Sequence, residues 1–225
     1  MLKVSKIRRG EELTFVYDVD SNLGGGEWDI VADWCVDNTT PEDTFIEIGA
    51  QLGYMSVHVQ KFSKPKFAIY IEADVETIPL LKENLKNNCE GDYLILNSLI
   101  LGNQGEAVFY RNLENPAQSS IFKRGEFKNL SPVTLQSTTI DAIVEQYNIQ
   151  APIVMKIDAE FSEPFIWKGM QKTRTKVRAM VMEYYPMKAS ELWLIHPEDF
   201  LLEVEKDGFK VVDQTATNIY LRKTV

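Results

Sequence analysis

Two segments of this sequence place carboxylates and glycines at spacings that could do chemistry. The first is Glu47-Ile48-Gly49-Ala50-Gln51-Leu52-Gly53-Tyr54, where a carboxylate and two glycines stand at the end of the apolar run Thr44 to Gly49. Glycines there allow a tight strand-to-helix turn and a close approach of a ligand to the backbone. Nineteen residues past Gly53, Glu72 closes the next apolar run, Phe67 to Ala73. A carboxylate so placed can accept both hydroxyls of a ribose. The second segment is Asp158-Ala159-Glu160, at the end of the apolar run Pro152 to Asp158. Side chains two residues apart point the same way if the strand continues. Two like charges in proximity raise one pKa and make that group a better base. Lys156, inside the same run, either pairs with a neighbouring carboxylate or orients an acceptor.

Two nucleotide classes compete for the first segment. A dinucleotide site needs G-x-G-x-x-G with its pyrophosphate on the helix N-terminus. Counted from Gly49, the later glycine positions hold Gln51 and Tyr54. Glu47 would repel a pyrophosphate and suits a cationic amino group. S-adenosylmethionine has such a group, a ribose and no phosphate, so the pattern favours it over NAD. The residues expected around it are Glu47, Gly49, Ala50, Gly53, Tyr54, Glu72, Ala73, Asn97, Ser98 and Asp158. Taken singly, the glycines are an ordinary turn and Glu72 a solvated strand end; the combination points to a nucleoside.

Methyl transfer to a hydroxyl profits from a general base, worth roughly 10²–10⁴-fold. Asp158, Glu160 and His196 are the catalytic candidates. The plainer readings are that Asp158 caps the following helix, that Glu160 is solvated and that His196 is a loop residue ahead of Pro197. Asp158 and Glu160, with Glu183 as a third oxygen ligand, could hold a divalent cation. That alternative ranks below metal-free chemistry, so no metal ligand is assigned. His58, among Met55, Val57 and Val59, reads as a packing residue.

The elements that must position these groups alternate. Strand-sized apolar runs at Thr44–Gly49, Phe67–Ala73, Tyr93–Leu101, Pro152–Asp158 and Val177–Tyr184 are separated by helical patterns. Asp74 reads as the N-cap of the helix carrying Ile78, Leu81 and Leu85, and Thr139 as the cap of Ile140 onward. The segments AVFYRN and VTLQST read as a hairpin-like pair, and FKVVDQ with NIYLRK as a closing antiparallel pair. The fold expected is α/β: a Rossmann-like, mostly parallel sheet with helices on both faces and a C-terminal antiparallel hairpin. Residues 1–225 read as one domain, with about 1–40 an N-terminal extension and first helix. Stretches 21–26 and roughly 111–131 read as loops. In such sheets ligands sit beyond the carboxyl ends of the strands, near the switch in strand order.

The 225 residues carry 24 Lys+Arg against 33 Asp+Glu, a net charge of −9. That balance disfavours gripping nucleic acid through overall charge. No apolar stretch follows the basic start MLKVSKIRRG, and no run reaches the ~20 residues of a membrane span. Cys35 and Cys89 have no metal or redox spacing and read as reduced thiols of a cytoplasmic protein.

Over Glu27 to Val212 the sequence resembles the FkbM-type S-adenosylmethionine-dependent methyltransferases. The resemblance rests on FIEIGAQLGYMSV, IEADVETIPLLKENLKNN, TLQSTTIDAIV and IVMKIDAEFSEPFIWKGM followed by VMEYYP. The family's K-I-D-V-E-G-x-E segment is here Lys156-Ile157-Asp158-Ala159-Glu160-Phe161-Ser162-Glu163, matching at Lys156, Asp158, Glu160 and Glu163. Asp141 matches the T-x-D region. The departure is Phe161 for glycine, expected to reshape the pocket rim. The resemblance implies a class I methyltransferase sheet, S-adenosyl-L-methionine as cofactor, and an acceptor hydroxyl on a sugar, glycan or small metabolite. Peptide or natural-product N- or O-methylation, or a non-catalytic domain of the same fold, are the alternatives. The expected partner is a small-molecule, glycan or peptide acceptor, with neither nucleic acid nor membrane; an oligomer is left open.

Overall fold

The structure is a computed structural model that describes residues 2–17, 25–150, 152–186, 191–192 and 195–224. Among them, β1 (Leu2–Arg8) and β2 (Glu11–Tyr17) form an antiparallel hairpin of their own. Hydropathy alone leaves this hairpin as an extension. It is docked by the helix α3 (Ile78–Asn88), whose Asn84 and Asn88 amides imitate a neighbouring strand. Asn84 Oδ1 accepts from Val16 N at 2.6 Å and its Nδ2 donates to Val16 O at 2.9 Å; Asn88 does the same for Thr14 at 2.7 Å each way. The backbone groups of β2 are thereby satisfied.

The main sheet has the order β11-β12-β10-β9-β3-β4-β5. Its central strands β3 (Thr44–Ile48), β4 (Phe67–Glu72), β5 (Tyr93–Asn97), β9 (Ile153–Ile157) and β10 (Val177–Glu183) are parallel. β12 (Asn218–Lys223) is antiparallel to β10 and to β11 (Phe209–Gln214). β3 and β9 are buried along their whole length, which is why they read as near-continuous apolar runs. Ile46, Ile48, Met155 and Ile157 face a core shared with α4 (Ile140–Gln146), α5 (Glu163–Lys168) and α6 (Pro197–Lys206). Phe45, Tyr70 and Val154 face the other core, with α1 (Glu27–Asn38), α2 (Tyr54–Phe62) and α3. Helices therefore cover both faces, as expected.

Two local expectations change. The run Tyr93–Leu101 is not one strand: after β5, Ser98 N donates to the Glu72 carbonyl at 3.0 Å, and β6 (Leu99–Ile100) then joins a separate sheet of order β6-β8-β7. In that sheet β7 (Gly105–Asn112) and β8 (Leu130–Thr138) are the expected antiparallel pair. Asp74 does not cap α3, which opens after Thr77; it stabilises the preceding turn, accepting from Glu76 N at 3.0 Å, and pairs with Arg111 at 2.9 Å. Thr139 does cap α4, its hydroxyl accepting from Ala142 N at 3.1 Å. No described helix is long and apolar enough to cross a membrane.

From β3 the chain builds outward through β4 to β5 and later returns to β9 on the other side of β3. The switch in strand order falls between β3 and β9, and a cavity opens at their carboxyl ends.

Candidate functional site

The cavity measures about 330 Å³, within the small-molecule range. One wall comes from the β3 and β4 ends and the other from the β9 and β10 ends. Trp28, Phe109 and residues 115–119 close over it.

On the first wall, Gly49 has φ +79°, and a Cβ built on it would lie 1.8 Å from the Asp158 carbonyl oxygen. The glycine is demanded by the crossing of the β9 end as well as by any ligand. Gly53 (φ +88°) opens α2 and is not among the lining residues, whereas Ala50, Gln51 and Tyr54 are. Glu72 is not a solvated strand end. It is 9% exposed, with Oε2 accepting from Gln51 N at 2.7 Å and Oε1 from Asp74 N at 2.8 Å. Burial raises its pKa, and these two backbone donors oppose the rise. Each oxygen keeps a further lone pair. Ala73 and Ser98 line the cavity; Asn97 is exposed and does not, its amide bracing the strand end through the carbonyls of Glu72 (2.9 Å) and Ala73 (3.0 Å). The Tyr54 hydroxyl is held by Asp29, and its ring meets Trp28 edge-on at 5.9 Å.

Between the walls stands Lys156. Its Nζ is 3.1 Å from Asp158 Oδ2 and 3.6 Å from Glu47 Oε1, and it donates to the Gly49 carbonyl at 3.2 Å. Burial opposes its charge, yet Asp158 and Glu47 outweigh that and hold its pKa above the ordinary lysine value. Glu47 is 1% exposed, accepts from Ser56 Oγ at 2.5 Å, and is pushed by burial up to about 7. Its expected cationic partner is thus already supplied in part by Lys156.

On the second wall the strand does not continue through Asp158 and Glu160. β9 ends at Ile157, and the chain turns through left-handed Glu160 (φ +49°) and Phe161 (φ +76°). The turn, not strand alternation, gathers the carboxylates. One oxygen each from Asp158, Glu160 and Glu183 lies within 4.8 Å of the others. Glu183, at the end of β10, is 9% exposed, and its Oε2 is buried without a hydrogen-bond partner. Burial, then the nearby carboxylates, raises its pKa well above the usual range. Glu163 accepts from Ala159 N at 2.9 Å and is pushed by burial up to about 8. Asp158 is no helix cap, since α5 opens after Ser162.

Arg124 was not legible in the sequence. It is 4% exposed, pairs with Glu160 Oε2 at 2.9 Å, donates to Gln118 O at 2.6 Å and lies over the rings of Phe127 (4.4 Å) and Phe161 (5.4 Å). With Ser120, whose Oγ donates to the Glu160 carbonyl at 2.6 Å, it ties the 115–124 loop to the Asp158–Glu163 turn. A single arginine in an irregular stretch carries no spacing signal. Phe161 also differs from expectation: its ring is buried in the core against Tyr185 at 5.9 Å, and Tyr185 lines the cavity in its place. A left-handed non-glycine residue costs of order 1–3 kcal/mol, so glycine at this position in the resembled family has a conformational reason.

His196 is exposed ahead of α6 and is not brought to the cavity. His58 is packed among Phe15, Tyr54 and Phe62, and burial pushes it down to about 4. Glu27 lines the cavity and links α1 to the β11–β12 turn, accepting from Thr217 N (3.2 Å), Asn218 Nδ2 (3.1 Å) and the Thr215 hydroxyl.

Residues 47–211 match the family described as Methyltransferase FkbM domain. No curated protein matches the sequence. Among solved structures, the chain is similar to the S-adenosylhomocysteine-bound methyltransferase PaMTH1 of Podospora anserina (TM-score 0.53, 9% identity, covering 88% of this chain and 78% of that one). It is also similar to P. horikoshii TYW2 in complex with MeSAdo (0.52, 12%, 98% and 70%). A third is an rRNA methylase from Streptococcus thermophilus (0.51, 7%, 88% and 96%). Identities this low show a shared fold.

Proposed function

Because the chain belongs to the methyltransferase FkbM domain family, we propose that it transfers a methyl group from S-adenosyl-L-methionine to a hydroxyl of a sugar, glycan or other small metabolite. The observation that supports this is a single cavity lined both by Gly49, Ala50, Glu72 and Ser98 and by Asp158 and Glu160. A nucleoside site and a pair of proton acceptors therefore share one space.

The residues fit that cofactor. Glu72 is held by two backbone donors with lone pairs to spare for a ribose. The cofactor side carries Glu47, and Asp158 faces it from the second wall, an acidic lining that suits a cation and disfavours a pyrophosphate. When bound, S-adenosylmethionine supplies an electrophilic methyl carbon together with its leaving group. The protein's part is mainly alignment, which can contribute ~7–11 kcal/mol. Glu72 and the Gly49–Gln51 backbone fix the cofactor side. Asp158, the more exposed of the two carboxylates at 34% against 16% for Glu160, takes the acceptor proton. Glu160, held by Arg124, positions the acceptor. Carboxylates accept hydrogen bonds only, so this wall favours an acceptor rich in O–H donors over an anionic one.

The test is incubation with S-adenosylmethionine and a panel of polyols, glycans and peptides, followed by mass spectrometry and by calorimetry with S-adenosylhomocysteine. Products one CH₂ heavier on a polyol or glycan are expected. No binding of S-adenosylhomocysteine would overturn the reading. A methylated peptide, or a salt-dependent RNA shift of the kind the rRNA methylase neighbour invites, would replace the acceptor class.

A further inference from the structure

We propose that Asp158, Glu160 and Glu183 hold one hard divalent cation at the acceptor end of the cavity. Three observations carry this. The first is distance. Two oxygens that both sit at the 2.3–2.6 Å of a calcium–oxygen bond are at most about 4.6–5.2 Å apart. The three carboxylates each offer an oxygen within 4.8 Å of the others; three oxygens evenly placed at that bond length stand about 4.0–4.5 Å apart, so small side-chain shifts let one ion reach all three. A magnesium-sized ion, at about 2.1 Å, brings three evenly placed oxygens to about 3.6 Å and needs a larger contraction, up to about 1 Å.

The second observation is Glu183 itself. It is nine-tenths buried, lines the cavity beside Asp158 and Glu160, and leaves Oε2 with no hydrogen-bond partner. Buried oxygens are nearly always satisfied, and an exception in a cavity wall, such as Glu183 Oε2, is a place where an ion or another bound group can do it.

The third is charge. Glu47, Asp158, Glu160, Glu163 and Glu183 crowd this end, and the cations paired with them are Lys156 and Arg124. Those two cations orient Asp158 and Glu160 through Oδ2 and Oε2, while Glu183, crowded by the same carboxyls, has no cationic partner among the ion pairs of the described residues. An all-oxygen donor set of this kind selects a hard ion.

Three protein oxygens leave about three positions of an octahedral ion for water or acceptor, and since Asp158 gives the ion one oxygen, its other oxygen stays the proton acceptor of the proposed function. The acceptor class this adds to the proposed function is one with two adjacent oxygens, such as a vicinal diol, able to chelate. That refinement rests on the methyl-transfer reading; the cation site does not.

The experiment titrates the full chain with Mn²⁺ and reads free Mn²⁺ by electron paramagnetic resonance. One saturable site per chain is expected, with a Kd on the order of 10⁻⁴ M. Glu183→Gln keeps the shape and an acceptor, and is expected to weaken the site at least tenfold while still binding S-adenosylhomocysteine, which reports the fold. No saturable site in the wild type, or equal Mn²⁺ affinity in folded Glu183→Gln, overturns the inference. Mn²⁺ failure with S-adenosylhomocysteine binding intact leaves the methyltransferase reading standing. Mn²⁺ binding that is lost in Glu183→Gln, without any S-adenosylhomocysteine binding but with the wild-type melting curve retained as the report on the fold, supports the site and removes the reading.

Discussion

Glu72 and Glu183 end strands of one sheet, are equally buried at 9% exposure and face one cavity, yet they are built differently. Both oxygens of Glu72 receive backbone N–H groups, from Gln51 and Asp74, contributed by the strand ends of its own wall. Glu183 has an oxygen with no partner and three carboxylates around it. Backbone donors make Glu72 a fixed acceptor whose desolvation is partly offset. On the Glu183 side that cost stands, and a group with positive charge or hydrogen-bond donors must offset it. On the proposed reading the first wall serves recognition and the second the group that changes charge.

That contrast can be broken at either wall. Asp158→Asn removes the proposed base and is expected to lower turnover roughly 10²–10⁴-fold while S-adenosylhomocysteine affinity falls less than about tenfold. A comparable loss in both would erase the division between walls. Glu72→Ala should do the reverse, weakening S-adenosylhomocysteine about 100-fold by calorimetry, the worth of two hydrogen bonds to a charged group at about 1.5 kcal/mol each. Retained affinity would mean Glu72 serves only the fold. Arg124→Met leaves Glu160 without its buried partner and should cost about 3 kcal/mol in urea unfolding, the low end for such a pair because Glu160 keeps some exposure. A change below 0.5 kcal/mol would show that the 115–124 loop is held by other contacts.

The smallest effect is a pH dependence. Glu47 holds its proton in the folded protein up to about 7 because of burial, whereas an unfolded carboxyl releases it near 4.5. Between those values the folded state binds the extra proton, so this group's contribution is full below about 4.5 and falls as pH rises to about 7. The wild type should therefore lose thermal stability relative to Glu47→Gln across that window. Parallel melting curves would show that Lys156 already neutralises the group.

Much of the scaffold was legible because its signals are local. β3, β4 and β9 are buried on both faces and are apolar over most of their length, the charged exceptions being Glu47, Glu72 and Lys156, and Thr139 caps α4 through its own side chain. The break at Ser98 was hidden because β5 and β6 are both apolar, and only their different sheets part them. The hairpin β1–β2 was hidden because its satisfaction comes from Asn84 and Asn88, about 70 residues away. At the cavity, Glu72, Asp158 and Glu160, singled out by spacing, are all lining residues. Asn97, at the end of β5, and His196, ahead of α6, do not line the cavity, since position along the chain does not fix where a side chain is carried.

The sequence by itself determined the α/β order, the glycine turn after β3 and the carboxylates at strand ends, because hydropathy periods and short-range turn chemistry are written in neighbouring residues. Only the tertiary structure decided which of those carboxylates are satisfied. Arg124 reaches Glu160 across 36 residues and Glu183 meets Asp158 from another strand. Charge balance in a buried cavity depends on distances of a few ångströms that no spacing along the chain encodes.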